Sequence, residues 1–108
     1  MIVNKDDGDF VMGRTTSYKA HLEKRLMVPK EAAGYLNAAL EDEDPRVFLL
    51  ALKDVADAAG GMSQLADKSS LNRQSLYRAL SKSGNPKLIS VLSILSAMGF
   101  EICIRPAT

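Results

Sequence analysis

The sequence predicts an all-α domain of five to six helices closed by one short C-terminal strand. Apolar residues recur at helical spacing through most of the chain after position 17. Prolines and glycines fall where they start or stop those periodic stretches, and strict alternation occurs once, in the closing FEICIRP. With 108 residues there is enough chain for one core and little room for a second. The 46% hydrophobic and 25% charged content is that of an ordinary globular domain, which excludes wholesale disorder.

Residues 1–16 hold Gly8, Gly13, Thr15 and Thr16 without an apolar period and are expected to form a flexible tail, with Met12 as an alternative start. The domain is expected to span 17–108. In SYKAHLEKRLM, Tyr18, Leu22 and Leu26 recur every four residues and predict a short helix. Pro29 suits a first helical position, and Ala32, Tyr35, Leu36, Ala39 and Leu40 continue as one stripe. The acids Glu41 to Asp44 oppose the negative end of a helix dipole and stop it. Asp44-Pro45 reads as an N-cap followed by an N1 proline, leading a stripe of Phe48, Leu49, Leu52, Val55, Ala56 and Ala59 that Gly60-Gly61 ends. Asn85-Pro86 repeats the cap-plus-proline pattern before Leu88, Val91, Leu92, Leu95 and Met98, and Gly99 closes that helix. Ile89 and Ile94 lie off this stripe, so the last helix is apolar on more than one side, which favours a contact between subunits, with extra packing inside the chain as the alternative. In the tail, Phe100, Ile102 and Ile104 share one face of the expected strand. A lone strand has nowhere to send its backbone hydrogen bonds, so it must pair with the N-terminal segment or with the same strand of a second copy; the second copy is preferred because the N-terminal segment reads as helix, with Ile94, Phe100, Ile102 and Ile104 at the dimer contact.

Between the two glycines and Asn85-Pro86 lie two short helical patterns joined tightly, MSQLADKS and NRQSLYRALSKSG. Met62, Leu65 and Ala66 face inward on the first, and Leu71, Leu76, Ala79 and Leu80 on the second. Asn72 is a good N-cap, and small Ala66 allows the close crossing that a helix-turn-helix requires. Arg73, Gln74, Tyr77, Arg78 and Ser81 are thereby left on the outer side. The N-terminal part of such a second helix meets base edges in the major groove, where Arg suits guanine and Gln suits adenine. Arg73, Gln74 and Arg78 are the expected base readers, with phosphate the alternative for Arg78. Tyr77 either touches DNA or packs its ring against the first helix. Ser63, Gln64, Asn72, Lys82, Lys87 and Ser90, together with Ser83, are placed for phosphate contacts, each also readable as an ordinary cap or solvated side chain.

The net charge of +1 hides an asymmetry: residues 31–57 carry seven acids against two bases, and 63–90 carry five bases against one acid. One face would then suit a polyanion and another would turn away from it. Enzyme chemistry finds no support, since there is one His (His21), one Cys (Cys103), no phosphate loop and no metal-ligand spacing. No catalytic residue, metal or cofactor is expected. A single Cys, no long apolar run and no basic-then-apolar leader point to the cytoplasm and away from a membrane.

The segments PKEAAGYLNAAL, DPRVFLLALKDVADAAGGMSQLADKSSLNRQSLYRAL and GNPKLISVLSILSAMG together resemble the Xre/Cro-like helix-turn-helix antitoxins, the HigA-like addiction-module antidote proteins. The resemblance covers roughly Tyr18 to Ile104, and one departure is Ser70, where the general Xre pattern has a glycine in the turn. It implies a lambda-repressor-like bundle and a type II antitoxin. Such a protein would neutralise a RelE/ParE-like toxin and repress its own operon by binding duplex operator DNA. The alternative is a stand-alone Xre-type repressor of a phage or mobile element, without a toxin partner.

Overall fold

The computed structural model describes residues 16–81 and 83–107, apart from the side chain of Thr16. The expected tail lies outside these residues save for Thr16, and so does Lys82. Six helices follow in order among the described residues: α1 (Thr16–Leu26), α2 (Pro29–Leu40), α3 (Pro45–Ala58), α4 (Gly61–Lys68), α5 (Arg73–Ala79) and α6 (Leu88–Ala97). Helices α1 and α2 pack on each other and on α3, and α4 bridges from α3 to α5 and α6.

The helix boundaries follow local chemistry. Pro29 opens α2 behind extended Val28, which offers no side-chain cap. Asp44 caps α3 by accepting the Arg46 amide at 2.9 Å, and the following proline needs no partner for a missing N–H. The hydrogen bond from the Arg46 side chain, followed by that amide bond, holds the Asp44 carboxyl below its usual range. Asp42 accepts the Asp44 amide and fixes the acidic turn between α2 and α3. At the end of α3 the chain reverses through Gly60 (φ 113°) and Gly61 (φ 88°), backbone that a side chain would strain.

The core runs from Leu22 and Leu26 of α1 through Ala32 and Leu36 of α2, Ala51, Leu52, Val55 and Ala56 of α3, to Met62, Leu65, Leu76, Leu80, Ile94 and Leu95. Leu52, Leu76 and Ile94 are its largest fully enclosed side chains. Across α2 and α3 the Tyr35 hydroxyl donates to the buried Asp54 carboxylate at 2.6 Å, giving that charge a hydrogen-bonded partner. Asp57 joins α1 to α3 by receiving both Lys19 and Lys53 at 3.1 Å. Burial pulls the Lys19 ammonium down, but Asp57 and Glu23 outweigh it and raise its pKa.

Three expectations at the C-terminal end are corrected. First, α6 starts at Leu88, not behind Asn85-Pro86, and its N-cap Lys87 makes no side-chain cap bond. At Gly84 a Cβ would collide with the carbonyl oxygens of Ala79 and Arg78, so the chain runs tight against the end of α5 there. Residues 83–87 are non-helical. Second, the face of α6 that turns inward is Val91, Ile94, Leu95 and Met98, while Leu88, Ile89 and Leu92 lie exposed. Ile94 has no accessible surface, so it belongs to this chain's own core and has none left for a contact between copies. Third, the C-terminal strand is not seen. Phe100 packs on the core and donates its amide to the Leu95 carbonyl, but residues 101–107 are exposed and carry no ladder. Every described element of the chain is a helix, so none offers a strand edge to pair with. No described helix is long and apolar enough to cross a membrane.

Candidate nucleic-acid interface

Helices α4 and α5 are eight and seven residues long, and the connection between them spans residues 69–72. Each is too short to persist alone in water, so packing must hold it. Met62 and Leu65 anchor α4, Leu76 and the C-cap residue Leu80 anchor α5, and Ala66 and Leu71 fill the seam partly exposed. Sidedness then follows from the period of the helix. With Leu76 enclosed, Arg73, Gln74, Tyr77 and Arg78 are all exposed on α5, as the sequence predicts.

The connection is set by small polar side chains. Ser69 leaves α4 in an extended conformation (φ −103°, ψ 171°), and its hydroxyl accepts the Leu71 amide at 3.2 Å. Asn72 is also extended, and its Oδ1 accepts the Ser75 amide at 2.7 Å, which caps α5. The Ser70 hydroxyl lies 3.1 Å from that of Ser93, tying the connection to α6. No local sequence signal marks this last bond, because its partners are 23 residues apart and each hydroxyl alone reads as surface.

On the outer side, the Arg73 guanidinium carbon sits 5.9 Å from the centroid of the Tyr77 ring. This is a cation–π distance between i and i+4 neighbours, so half-exposed Tyr77 serves at least to steer Arg73 along the helix face. The Tyr77 side chain is left 50% exposed. Ser81 turns its hydroxyl back to the Arg78 carbonyl at 2.8 Å, closing the end of α5.

The expected phosphate ligands divide. Ser63, Gln64 and Asn72 are exposed around the starts of α4 and α5, and Ser83 and Lys87 are exposed in the segment before α6. Ser90 is half-buried in the first turn of α6, and Lys82 is outside the described residues. The Gln64 amide is folded over Gly60, close enough that a Cβ on that glycine would meet its Oε1 at 2.5 Å. Asn72 is committed to its cap through Oδ1, which leaves its amide N–H groups for an outside acceptor.

The described residues contain no cluster of three or more His, Cys, Asp or Glu suited to a metal ion. What α4 and α5 offer is a helix face with two guanidinium groups, an amide and a phenol, above hydroxyls and amides near helix N-termini. Such a surface can read base edges and grip phosphates.

A family described as "Probable addiction module antidote protein" matches residues 14–106 of this chain. An uncharacterized protein of Haemophilus influenzae is 33% identical over 82 residues, which is 76% of this chain and 84% of that protein. No solved structure matches.

Proposed function

Because the chain belongs to the family of probable addiction module antidote proteins, we propose that it is the antitoxin of a type II toxin–antitoxin pair. In this reading it neutralises a RelE/ParE-like toxin and represses its own operon, working in the cytoplasm as a homodimer of the domain 17–108. The family match over nearly the whole chain carries the antitoxin half of the reading. The exposed face of α5 carries the DNA half.

Helices α4 and α5 act as an Xre-type helix-turn-helix within a lambda-repressor-like bundle. Arg73 and Gln74, at the start of α5, read base edges, each able to make two hydrogen bonds to its base. Arg78, a turn further on, takes a base or a phosphate, and Tyr77 fixes the approach of Arg73. Ser63, Gln64, Asn72, Lys82, Lys87 and Ser90 set the register on the phosphates. The exposed acids Glu41, Asp42 and Glu43 between α2 and α3 carry a charge opposite to that of a basic toxin.

The deciding experiment expresses the protein together with the neighbouring gene of its operon and scores growth rescue and co-purification. Rescue with a stable complex supports the antitoxin reading. A neighbour that is harmless, or is neither bound nor neutralised, overturns it in favour of a stand-alone repressor. In parallel, binding to the protein's own promoter is measured over a salt series. Affinity should fall steeply as salt rises, because neutralised phosphates release counterions; no binding at low salt overturns the DNA half.

A further inference from the structure

Helices α1 and α3, with the end of α5, border a groove of about 700 Å³. Its apolar lining is Val47, Leu50 and Leu80, of which Val47 and Leu50 are 36% and 51% exposed. Lys19, Arg46 and Lys53 stand around it with Asp44 and Asp54. Asp54 is buried and accepts the Tyr35 hydroxyl, so the accessible charges of the rim are three bases against one acid.

We propose that this groove is the docking site for the chain's own segment from Asp6 to Met12, which precedes α1 by three residues. Composition, charge and reach select that occupant. Phe10, Val11 and Met12 supply three consecutive apolar side chains for Val47 and Leu50. Asp6, Asp7 and Asp9 supply the negative charge that a rim of Lys19, Arg46 and Lys53 attracts. Lys19 lies one turn inside α1 and bonds Asp57, and Leu50 stands two turns before Asp57 on α3, about 10 Å along the helix. Six extended residues from Thr16 back to Phe10 cover up to about 20 Å, a length that matches this span. A covalently attached segment within reach acts at a millimolar effective concentration. Weak apolar contacts then suffice to keep it in place, and an untethered partner must outcompete it.

Docking gives a task to residues that the sequence alone reads as a flexible tail. The groove also borders Ser81, whose hydroxyl closes α5 by donating to the Arg78 carbonyl. The docked segment therefore rests at the end of α5 opposite to Arg73 and Gln74, and it withdraws Val47 and Leu50 from other apolar surfaces.

The inference does not depend on the antitoxin or DNA readings, since its test needs the chain alone. The sequence has no tryptophan, so Phe10→Trp gives a single fluorescent reporter in the segment. In the folded full chain its emission should lie to the blue of that in the urea-unfolded chain. Acrylamide should quench it about threefold less, as expected for a mostly docked population at millimolar effective concentration. Adding Val47→Glu/Leu50→Glu should return both readings to those of an exposed side chain. Circular dichroism checks that this variant stays helical; should it unfold, Val47→Ser/Leu50→Ser replaces it, with the same expected result. Leu88→Glu/Ile89→Glu, on the outer face of α6, should change neither reading. An excess of the native chain, mixed with the groove variant, should not restore protection. A tryptophan as accessible in the folded chain as in urea overturns the proposal, and so does a protected one that ignores the groove substitutions. Restoration by the added native chain overturns it too, by placing the segment on another copy.

Discussion

Asn72 has two proposed tasks that substitutions can separate. Its Oδ1 caps α5 by accepting the Ser75 amide at 2.7 Å, and its remaining N–H groups are placed for a DNA phosphate. Replacing Asn72 with Ala removes the cap. Because α5 is only seven residues long, the lost bond is a sizeable part of its local support. The Ser75 amide can still turn to water at this exposed end, which limits the loss to about 1 kcal/mol, within the usual 0.5–2 kcal/mol range for a cap. A domain of this size has about 5–10 kcal/mol of stability in total, so urea unfolding should resolve the difference as a lower midpoint at unchanged slope. Replacing Asn72 with Asp keeps an acceptor in the same place and adds a negative charge at a helix N-terminus. Stability should hold or rise by about 0.3–1 kcal/mol. DNA affinity should fall at least tenfold, about 1.4 kcal/mol, because a carboxylate faces phosphate and the donor is gone. Replacing Asn72 with Ser should preserve the cap and most of the binding. An Ala variant as stable as the native protein would refute the capping argument. An Asp variant that binds the operator with native affinity would refute the phosphate contact.

Truncating Leu76 to Ala, at a fully enclosed position that pins α5 to the core, should cost about 2.5–5 kcal/mol in urea unfolding; a loss under 1 kcal/mol would mean that α5 is not docked as described. Arg73→Ala and Gln74→Ala should each reduce discrimination between operator and random DNA by about 1–3 kcal/mol in competition binding, and an equal loss on both DNAs would make them phosphate contacts instead. Stability should respond to pH at both extremes. The Asp44 carboxyl is held below its usual value, so its contribution is complete above the unfolded pKa of 3.8 and disappears as pH falls through the lower folded value. Lys19 is held above 10.5, so its contribution is complete below that pH and disappears as pH rises through the folded value. Lys19→Met should flatten the alkaline limb of a midpoint-versus-pH curve, and an unchanged limb would dismiss the Lys19–Asp57 contact as a source of stability.

The local sequence determined most helix ends and the outward side of α5. Asp44-Pro45, Pro29, Gly60-Gly61 and Asn72 act through their own backbone preferences and through hydrogen bonds two or three residues away, so their effect is legible without knowing the fold. The exposure of Arg73, Gln74, Tyr77 and Arg78 was equally legible, because one clear apolar side on α5 leaves its polar side no choice. Only the tertiary structure decided the phase of α6, its delayed start, the rotamer of Gln64 and the bond between Ser70 and Ser93. Helix α6 shows why. Its apolar residues make two overlapping stripes of similar quality, and with no charged residue on either side the period cannot say which stripe turns inward. Packing against α4 settles that, by enclosing Ile94 and Leu95 and leaving Leu88, Ile89 and Leu92 to the solvent. Where a helix has one apolar side the sequence orients it; where it has two, the neighbouring helix does.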